Sequence, residues 1–415
     1  MQQPPMNQVE ALVQYLRTAR FRQGLVRDVR FVAGATRLLF IRAEGRPEAV
    51  NCLFELDLTT GRETLVLDPS TDTSAPGAES QAEREAKQRS RELAGGINYV
   101  SSSADGTVVV TSLHGDLMVG RRTDPDGDAD GGWTWTEPGI RPAYSAQLNP
   151  DGSRACLLVD GRLAVADLTG PEPRLRHPDR DVPGLGRVDF VSAEEIDRRT
   201  AAWWDPSGTR LLVVAVDEDA VREVVVGGDP EPSDTFPRLR YPLAGTPNAT
   251  STLWLVAADD LTVEPLPDPP GDWEYLVTGG WRDDGEGVRA VWQTRDQRTV
   301  AAFEHRAGSG WTELFRLTDA AWVPVSPGRY LLGPTPPVWL DESGERATVV
   351  VGGTPIAAPA ADGLSPRRLI SATAGGVVVD AWRAGSAAPG IAHVTYAGEV
   401  SWLSEAGVCA EGWAA

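Results

Sequence analysis

A short unit recurs along the chain: a turn containing Asp and Gly, followed by a run rich in β-branched residues. It is seen at Ala104-Asp105-Gly106, Asn149-Pro150-Asp151-Gly152, Asp205-Pro206-Ser207-Gly208, Asp283-Asp284-Gly285 and Asp341-Glu342-Ser343-Gly344. The turn chemistry is local, because an Asp side chain accepts backbone hydrogen bonds and Gly supplies positive φ. Its repetition is what constrains the fold: reiterated units of short strands predict an all-β chain, a β-propeller. A pair of β-sandwiches also uses short strands, but the turn-plus-strand unit here repeats over the whole length.

Strand pairs can be placed on this frame. Residues 107–112 and 116–120 flank the turn His114-Gly115, and 155–159 and 162–167 flank Asp160-Gly161, a two-residue hairpin signal. Segments 211–216 and 223–226 read as a further pair, and 377–382, 391–396 and 399–403 as three successive antiparallel strands. Two stretches read as helix. One is 7–20, with Val9, Leu12, Val13 and Leu16 at helical spacing; the other is 78–94, rich in helix formers and charge but poor in apolar residues. The domain reading is therefore an N-terminal helix within 1–20 and a propeller over 21–415 carrying a helical insertion at about 78–94. Of the 415 residues, the non-helical remainder at about 45 per blade predicts eight blades. The sequence ends about where a last blade should still be closing, so that blade is expected to be incomplete and the ring to be less stable or to associate with another chain.

Charge excludes one class of partner. The 59 acidic and 39 basic residues give a net charge of −20, which argues against nucleic acid, since phosphate binding needs a basic face. No apolar run approaches the length of a membrane span, and the start MQQPPMNQVEALV lacks the pattern of a secretory signal; a cytoplasmic location is the expectation. Cys52, Cys156 and Cys409 are far apart, with no spacing that suggests zinc or a disulfide framework. No cofactor or metal is expected. Asp126, Asp128, Asp130, Gly131 and Glu137 match the formula of a calcium-binding EF-hand loop. That loop needs a helix on each side, whereas strand-like residues precede it and Pro138-Gly139 follow it, so it is set aside.

Within 184–256 the sequence becomes specific. Asp189-Phe190-Val191-Ser192-Ala193-Glu194-Glu195-Ile196-Asp197-Arg198 is followed by Trp203-Trp204-Asp205-Pro206-Ser207-Gly208, then by Tyr241-Pro242-Leu243-Ala244-Gly245 and Asn248. This combination resembles the propeller of the dipeptidyl peptidase IV subfamily of prolyl oligopeptidase-type serine peptidases. Weaker similarity extends through Ala94-Gly95-Gly96, Glu274-Tyr275-Leu276 and Gln293-Thr294-Arg295-Asp296-Gln297. One departure lies close by: Ala201-Ala202 stand where the family often has Gly and an aromatic residue.

The resemblance implies an eight-bladed propeller that caps an α/β-hydrolase, with Glu194 and Glu195 binding the free amino terminus of a peptide. The chemistry fits. A peptide α-amine has a pKa near 8 and is largely an ammonium at neutral pH. Its three N–H donors match two carboxylates, and the cation relieves their mutual repulsion. Holding the amine at a fixed distance from a serine would place the cut after the second residue. The plain alternative for a Glu-Glu pair is a solvated surface charge. The hydrolase half is not in this sequence: no G-x-S-x-G occurs, the nearest fragment being Gly363-Leu364-Ser365. His114, His177, His305 and His393 read as surface or packing residues. The expectation is a substrate-gating, peptide-binding propeller, inactive alone, with no catalytic residue of its own; a scaffold propeller that has lost its enzyme is the alternative. Oligomeric state is left open.

Overall fold

The computed structural model describes residues 26–32, 36–43, 50–71, 95–123, 132–170, 173–225, 238–344, 346–356, 363–385 and 389–403. Among them, a four-stranded antiparallel sheet occurs seven times in succession, as blades 1 to 7 over 27–67, 101–136, 143–176, 202–265, 275–318, 330–355 and 364–402. Within every blade the strands pair in chain order. A short parallel pairing of Gly95-Gly96 with Val50 and Asn51 is added to blade 1.

Four of the five Asp and Gly turns connect the first strand of a blade to the second; the one at Asp341–Gly344 joins the second and third strands of blade 6. Gly106, Gly152, Gly208 and Gly285 have φ of 71°, 72°, 70° and 73°. The Asp carboxylates take up backbone amides: Asp105 from Thr107 (3.0 Å), Asp151 from Ser153 (2.8 Å), Asp205 from Thr209 and Arg210 (2.8 and 2.9 Å), and Asp284 from Glu286 (3.0 Å). Glycine has a second reason to be there. A Cβ at Gly106 would lie 2.7 Å from Val32 of blade 1, and one at Gly152 would lie 2.9 Å from Val108 of blade 2. Each of these turns is thus seated against the preceding blade, and only a residue without a side chain fits.

Burial falls from the middle strands outward. Val108–Leu113 is buried throughout, as is Val288–Gln293, whereas the fourth strands Trp133–Thr136 and Arg174–Arg176 have no buried residue. First strands of neighbouring blades meet, in blades 2 and 3, 3 and 4, 4 and 5, 6 and 7, and 7 and 1, so these strands line the axis of the ring. The core is a series of apolar layers between blades. Val110 and Leu117 of blade 2 pack with Leu157 and Ala164 of blade 3; Leu163 of blade 3 packs with Leu211 and Val213 of blade 4; Leu212 and Val214 of blade 4 pack with Ala290 and Phe303 of blade 5. Equivalent layers join blades 1 and 2, 5 and 6, and 6 and 7. The remaining layer is different: Leu38, Phe40, Cys52 and Phe54, with their flanking residues, all belong to blade 1. Indole hydrogen bonds add links between blades, from Trp204 Nε1 to the Gln147 carbonyl (2.8 Å) and from Trp281 Nε1 to the Trp203 carbonyl (2.9 Å).

The described ring therefore has seven blades, not eight. Length was assigned to a blade that the chain spends elsewhere. In blade 4, a separate two-stranded ribbon, Glu223–Val225 with Arg238–Arg240, is inserted between the second and third strands, and residues 177–201 link blades 3 and 4. The same ribbon corrects the expected pairing of 211–216 with 223–226: Arg210–Asp217 pairs with Thr250–Ala257 instead. The expected incomplete last blade is also corrected, because blade 7 has all four strands. The other hairpins form where expected, with positive φ at His114 and Gly115 and at Asp160 and Gly161. The helices at 7–20 and 78–94 lie outside the described residues, as do Asp126, Asp128, Asp130 and Gly131; the segments flanking that loop are the strands Asp116–Arg122 and Trp133–Thr136.

Candidate functional site

The link between blades 3 and 4 carries the Glu pair. Gly184 and Gly186 first run beside the second strand of blade 4, the Gly186 amide donating to the Val214 carbonyl at 2.7 Å. A Cβ at Gly184 would stand 1.9 Å from the Val216 carbonyl oxygen, and its φ is +70°. Only glycine allows this approach.

Helix α1, Phe190–Glu194, follows. Asp189 is its N-cap, with extended backbone and a side chain that accepts the Ser192 amide at 3.1 Å. Glu195 is the C-cap. The chain then turns back through Asp197, whose φ of +63° is in the left-handed region that Asp tolerates better than most residues. Ile196 is 4% exposed and enters the apolar layer between blades 5 and 6, while Val188 and Ala201 on either side pack in the layer between blades 4 and 5. The loop thus crosses the start of the first strand of blade 5, Tyr275–Trp281, and returns to the Trp-Trp strand Ala202–Trp204. That location is at the mouth of the ring, beside the axial strands, on the rim that also carries the blade 4 ribbon.

Arg198 fastens the loop. Its side chain is 1% exposed, and its guanidinium donates from Nη2 to Ser192 Oγ (2.7 Å), from Nε to the Leu276 carbonyl (3.1 Å) and from Nη1 to the Thr200 carbonyl (3.2 Å). Asp189 Oδ1 stands 3.6 Å from Nη2. Burial pushes the guanidinium down to about 10, with the Asp189 carboxylate opposing that shift; it stays charged at neutral pH.

The rest of the sequence motif converges here. The Phe190 and Tyr241 rings meet edge to face at 4.9 Å, joining the Glu loop to the Tyr-Pro segment. Asn248 donates to Glu274 Oε1 (2.7 Å) and to the Tyr275 hydroxyl (3.0 Å). Arg295 donates to the same Glu274 oxygen (2.5 Å) and to the Thr246 carbonyl (2.7 Å). The weaker matches Glu274-Tyr275-Leu276 and Gln293–Gln297 therefore brace the two stronger ones. Ala201 and Ala202 are both buried, each in an apolar layer of blade 4.

Glu194 is half-buried and Glu195 exposed. Neither carboxylate has a hydrogen-bond or ion-pair partner among the described residues, while other acids of the same rim are engaged: Asp189 by Arg198, Asp197 by Arg199 at 2.8 Å and Glu274 by Arg295. Sequence reasoning placed both glutamates together but gave no role to Arg198, a charged residue in a stretch where charge reads as solvent exposure. The signal available was its spacing, six residues after Ser192 and across a tight turn.

Elsewhere the candidates fall into structural positions. Ser365 lies within the first strand of blade 7, Leu364–Thr373, opposite Trp382, and is not on a nucleophile elbow. His114 occupies a hairpin turn, His177 Nδ1 is 2.9 Å from the Leu163 carbonyl, His305 meets the Trp311 ring at 5.1 Å, and His393 Nε2 lies 3.4 Å from Thr373 Oγ1. Among the described residues no group of three or more His, Cys, Asp or Glu side chains is placed to hold a metal ion, and no helix is long and apolar enough to cross a membrane.

Comparison with known proteins agrees with this geometry. Residues 135–334 match the family model of the dipeptidyl peptidase IV (DPP IV) N-terminal region. Dipeptidyl aminopeptidase B of Saccharomyces cerevisiae is 35% identical over 82 residues, which cover 19% of this chain and 10% of that protein. Venom dipeptidyl peptidase 4 of Vespa velutina is 28% identical over 153 residues, covering 34% of this chain and 20% of that protein. The crystal structure of Porphyromonas gingivalis dipeptidyl peptidase 4 superposes with a TM-score of 0.65 at 14% identity, covering 97% of this chain and 56% of that one. The chain thus spans a little over half the length of that solved protein. Residues 135–334, at the centre of the ring described here, are similar to the dipeptidyl peptidase IV N-terminal region, and the ring as a whole shares the fold of the solved peptidase's matching part.

Proposed function

We propose that this propeller binds the free amino terminus of a peptide through Glu194 and Glu195 and gates access to a dipeptidyl peptidase-type serine hydrolase. One observation carries the proposal. At a rim where neighbouring carboxylates are paired with arginines, two adjacent ones are left without a cation among the described residues. A peptide ammonium supplies that charge and three donors, and charge-assisted hydrogen bonds of this kind are the strong ones. The loop lies beside the axial strands of blades 4 and 5, where a peptide entering the ring would pass.

In this role the chain contributes recognition and not bond cleavage. Its sequence has no G-x-S-x-G nucleophile elbow, so the acyl transfer belongs to a hydrolase domain that a partner or a further segment would provide. With the amine held at one end, the scissile bond would be set by distance, after the second residue.

The test is calorimetric titration of the 415-residue chain with the tripeptide Ala-Pro-Ala and its N-acetylated form. The free amine is expected to bind more tightly. Glu194→Gln or Glu195→Gln should weaken its binding about 10-fold or more, the worth of a hydrogen bond to a charged group. Equal binding of the free and acetylated peptides would leave the scaffold alternative.

A further inference from the structure

We propose that Arg198 is a positioning residue, which presets the carboxylates of Glu194 and Glu195 before any ligand arrives; the inference rests on the amine-binding reading above. Nothing in α1 itself would hold the pair still. The helix has five residues, and its last residue and its C-cap are the two glutamates. A segment that short is marginal by itself, and two adjacent carboxylates repel one another.

What fixes it is a pair of anchors immediately downstream. Ile196 is inserted between blades 5 and 6. Arg198 binds three different parts of the structure at once: Ser192 in the middle of α1, Thr200 at the approach to the Trp-Trp strand, and Leu276 in the axial strand of blade 5. Its planar fork makes these contacts with less entropy lost per bond than a lysine would. The Arg198 amide also closes the loop on the Ser192 carbonyl at 2.7 Å. Glu194 and Glu195 lie inside the span that these contacts bracket. They are therefore carried on a loop that Arg198 closes on Ser192 and ties to blade 5 at Leu276, and the ordering cost of binding is met during folding.

Two variants and two readouts test this. Backbone hydrogen exchange at Ala193, Glu195 and Ile196, whose amides donate within the loop to Asp189 and Val191, reports loop order without any ligand. Free-amine over N-acetyl preference for Ala-Pro-Ala reports its consequence. Arg198→Gln is expected to speed exchange at these three amides at least 10-fold and to reduce the amine preference about 10-fold, with protection in blades 2 and 3 unchanged. Arg198→Lys should restore neither fully, because one ammonium cannot reach all three acceptors. Unchanged exchange in a folded Arg198→Gln protein overturns the inference. Should that variant not fold, Ser192→Ala removes a single contact of the fork, and unchanged exchange there overturns it as well. Loss of loop protection in the variants, together with a wild-type chain that shows no amine preference, would uphold the positioning role and discard the amine-binding reading.

Discussion

The most quantitative prediction concerns Glu304 in blade 5. Its side chain, 9% exposed, accepts from three arginines: Arg289 Nε at 2.7 Å, Arg306 Nε at 2.6 Å and Arg282 Nη1 at 3.0 Å. Arg289 is 1% exposed and also donates to the Leu332 carbonyl at the edge of blade 6 (2.7 Å), so the carboxylate organises a joint between two blades. Burial alone would raise its pKa, but the hydrogen bonds from Arg306, Arg289 and Arg282 outweigh it and hold the carboxyl at about 2, against an ordinary 4.5. Converted at 1.36 kcal/mol per unit, that depression is about 3 kcal/mol of folding stability at neutral pH. Because the folded-state pKa is the lower one, the contribution is complete above about pH 4.5 and is lost as pH falls through 2. Glu304→Gln should cost a similar amount, about 3 kcal/mol, since it leaves buried guanidinium charge without its partner. Urea unfolding followed by tryptophan fluorescence at pH 7 and at several values between 5 and 2 would measure both effects. The wild-type protein should lose stability in that acid window and the variant should lose about 3 kcal/mol less of it. A variant within about 0.5 kcal/mol of wild type at pH 7, the scatter expected of a neutral surface change, would refute the assignment of a stabilising role to this carboxylate.

Further outcomes follow from local geometry. Gly184→Ala sets a methyl group against the Val216 carbonyl in a left-handed backbone, and should cost more than about 2 kcal/mol in the same unfolding assay; a neutral result would mean the loop approaches blade 4 differently. Cys156 is buried, and burial pushes its thiol up to about 12, so a thiol reagent should label it only in denaturant; mass spectrometry showing rapid labelling of Cys156 under native conditions would contradict its placement.

Much of the propeller was legible because its signals are local. An Asp that accepts amides and a Gly that must turn left, as at Asp105-Gly106 and Asp151-Gly152, are determined by neighbours in sequence. So are the hairpins at His114-Gly115 and Asp160-Gly161. Blade number was not legible, because it depends on which strand a strand pairs with. Glu223–Val225 follows Arg210–Asp217 closely enough to read as its partner, yet Thr250–Ala257 takes that place. The cue was burial pattern: Arg210–Asp217 is apolar over six consecutive residues and needs cover on both faces, which the alternating, mostly exposed Glu223–Val225 cannot supply. At the candidate site, the glutamates and the Tyr-Pro segment were found as motifs, and the Phe190–Tyr241 contact shows why they occur together. Arg198 escaped because a buried arginine is recognised by its acceptors, and two of these are main-chain carbonyls that a sequence does not display.

The blades are each built from one continuous stretch of chain, and among the described residues no strand from one end of the chain completes a sheet begun at the other. Six of the seven joints share an apolar layer, while among the described residues the apolar cluster at the joint of blades 7 and 1 is made of residues of blade 1 without a member from blade 7. Separating the ring at that meridian would break no ladder of main-chain bonds. Strain applied anywhere around the circle, by heat or by a bulky guest, should accordingly be released there first, and the molecule should spread like a fan rather than unravel leaf by leaf.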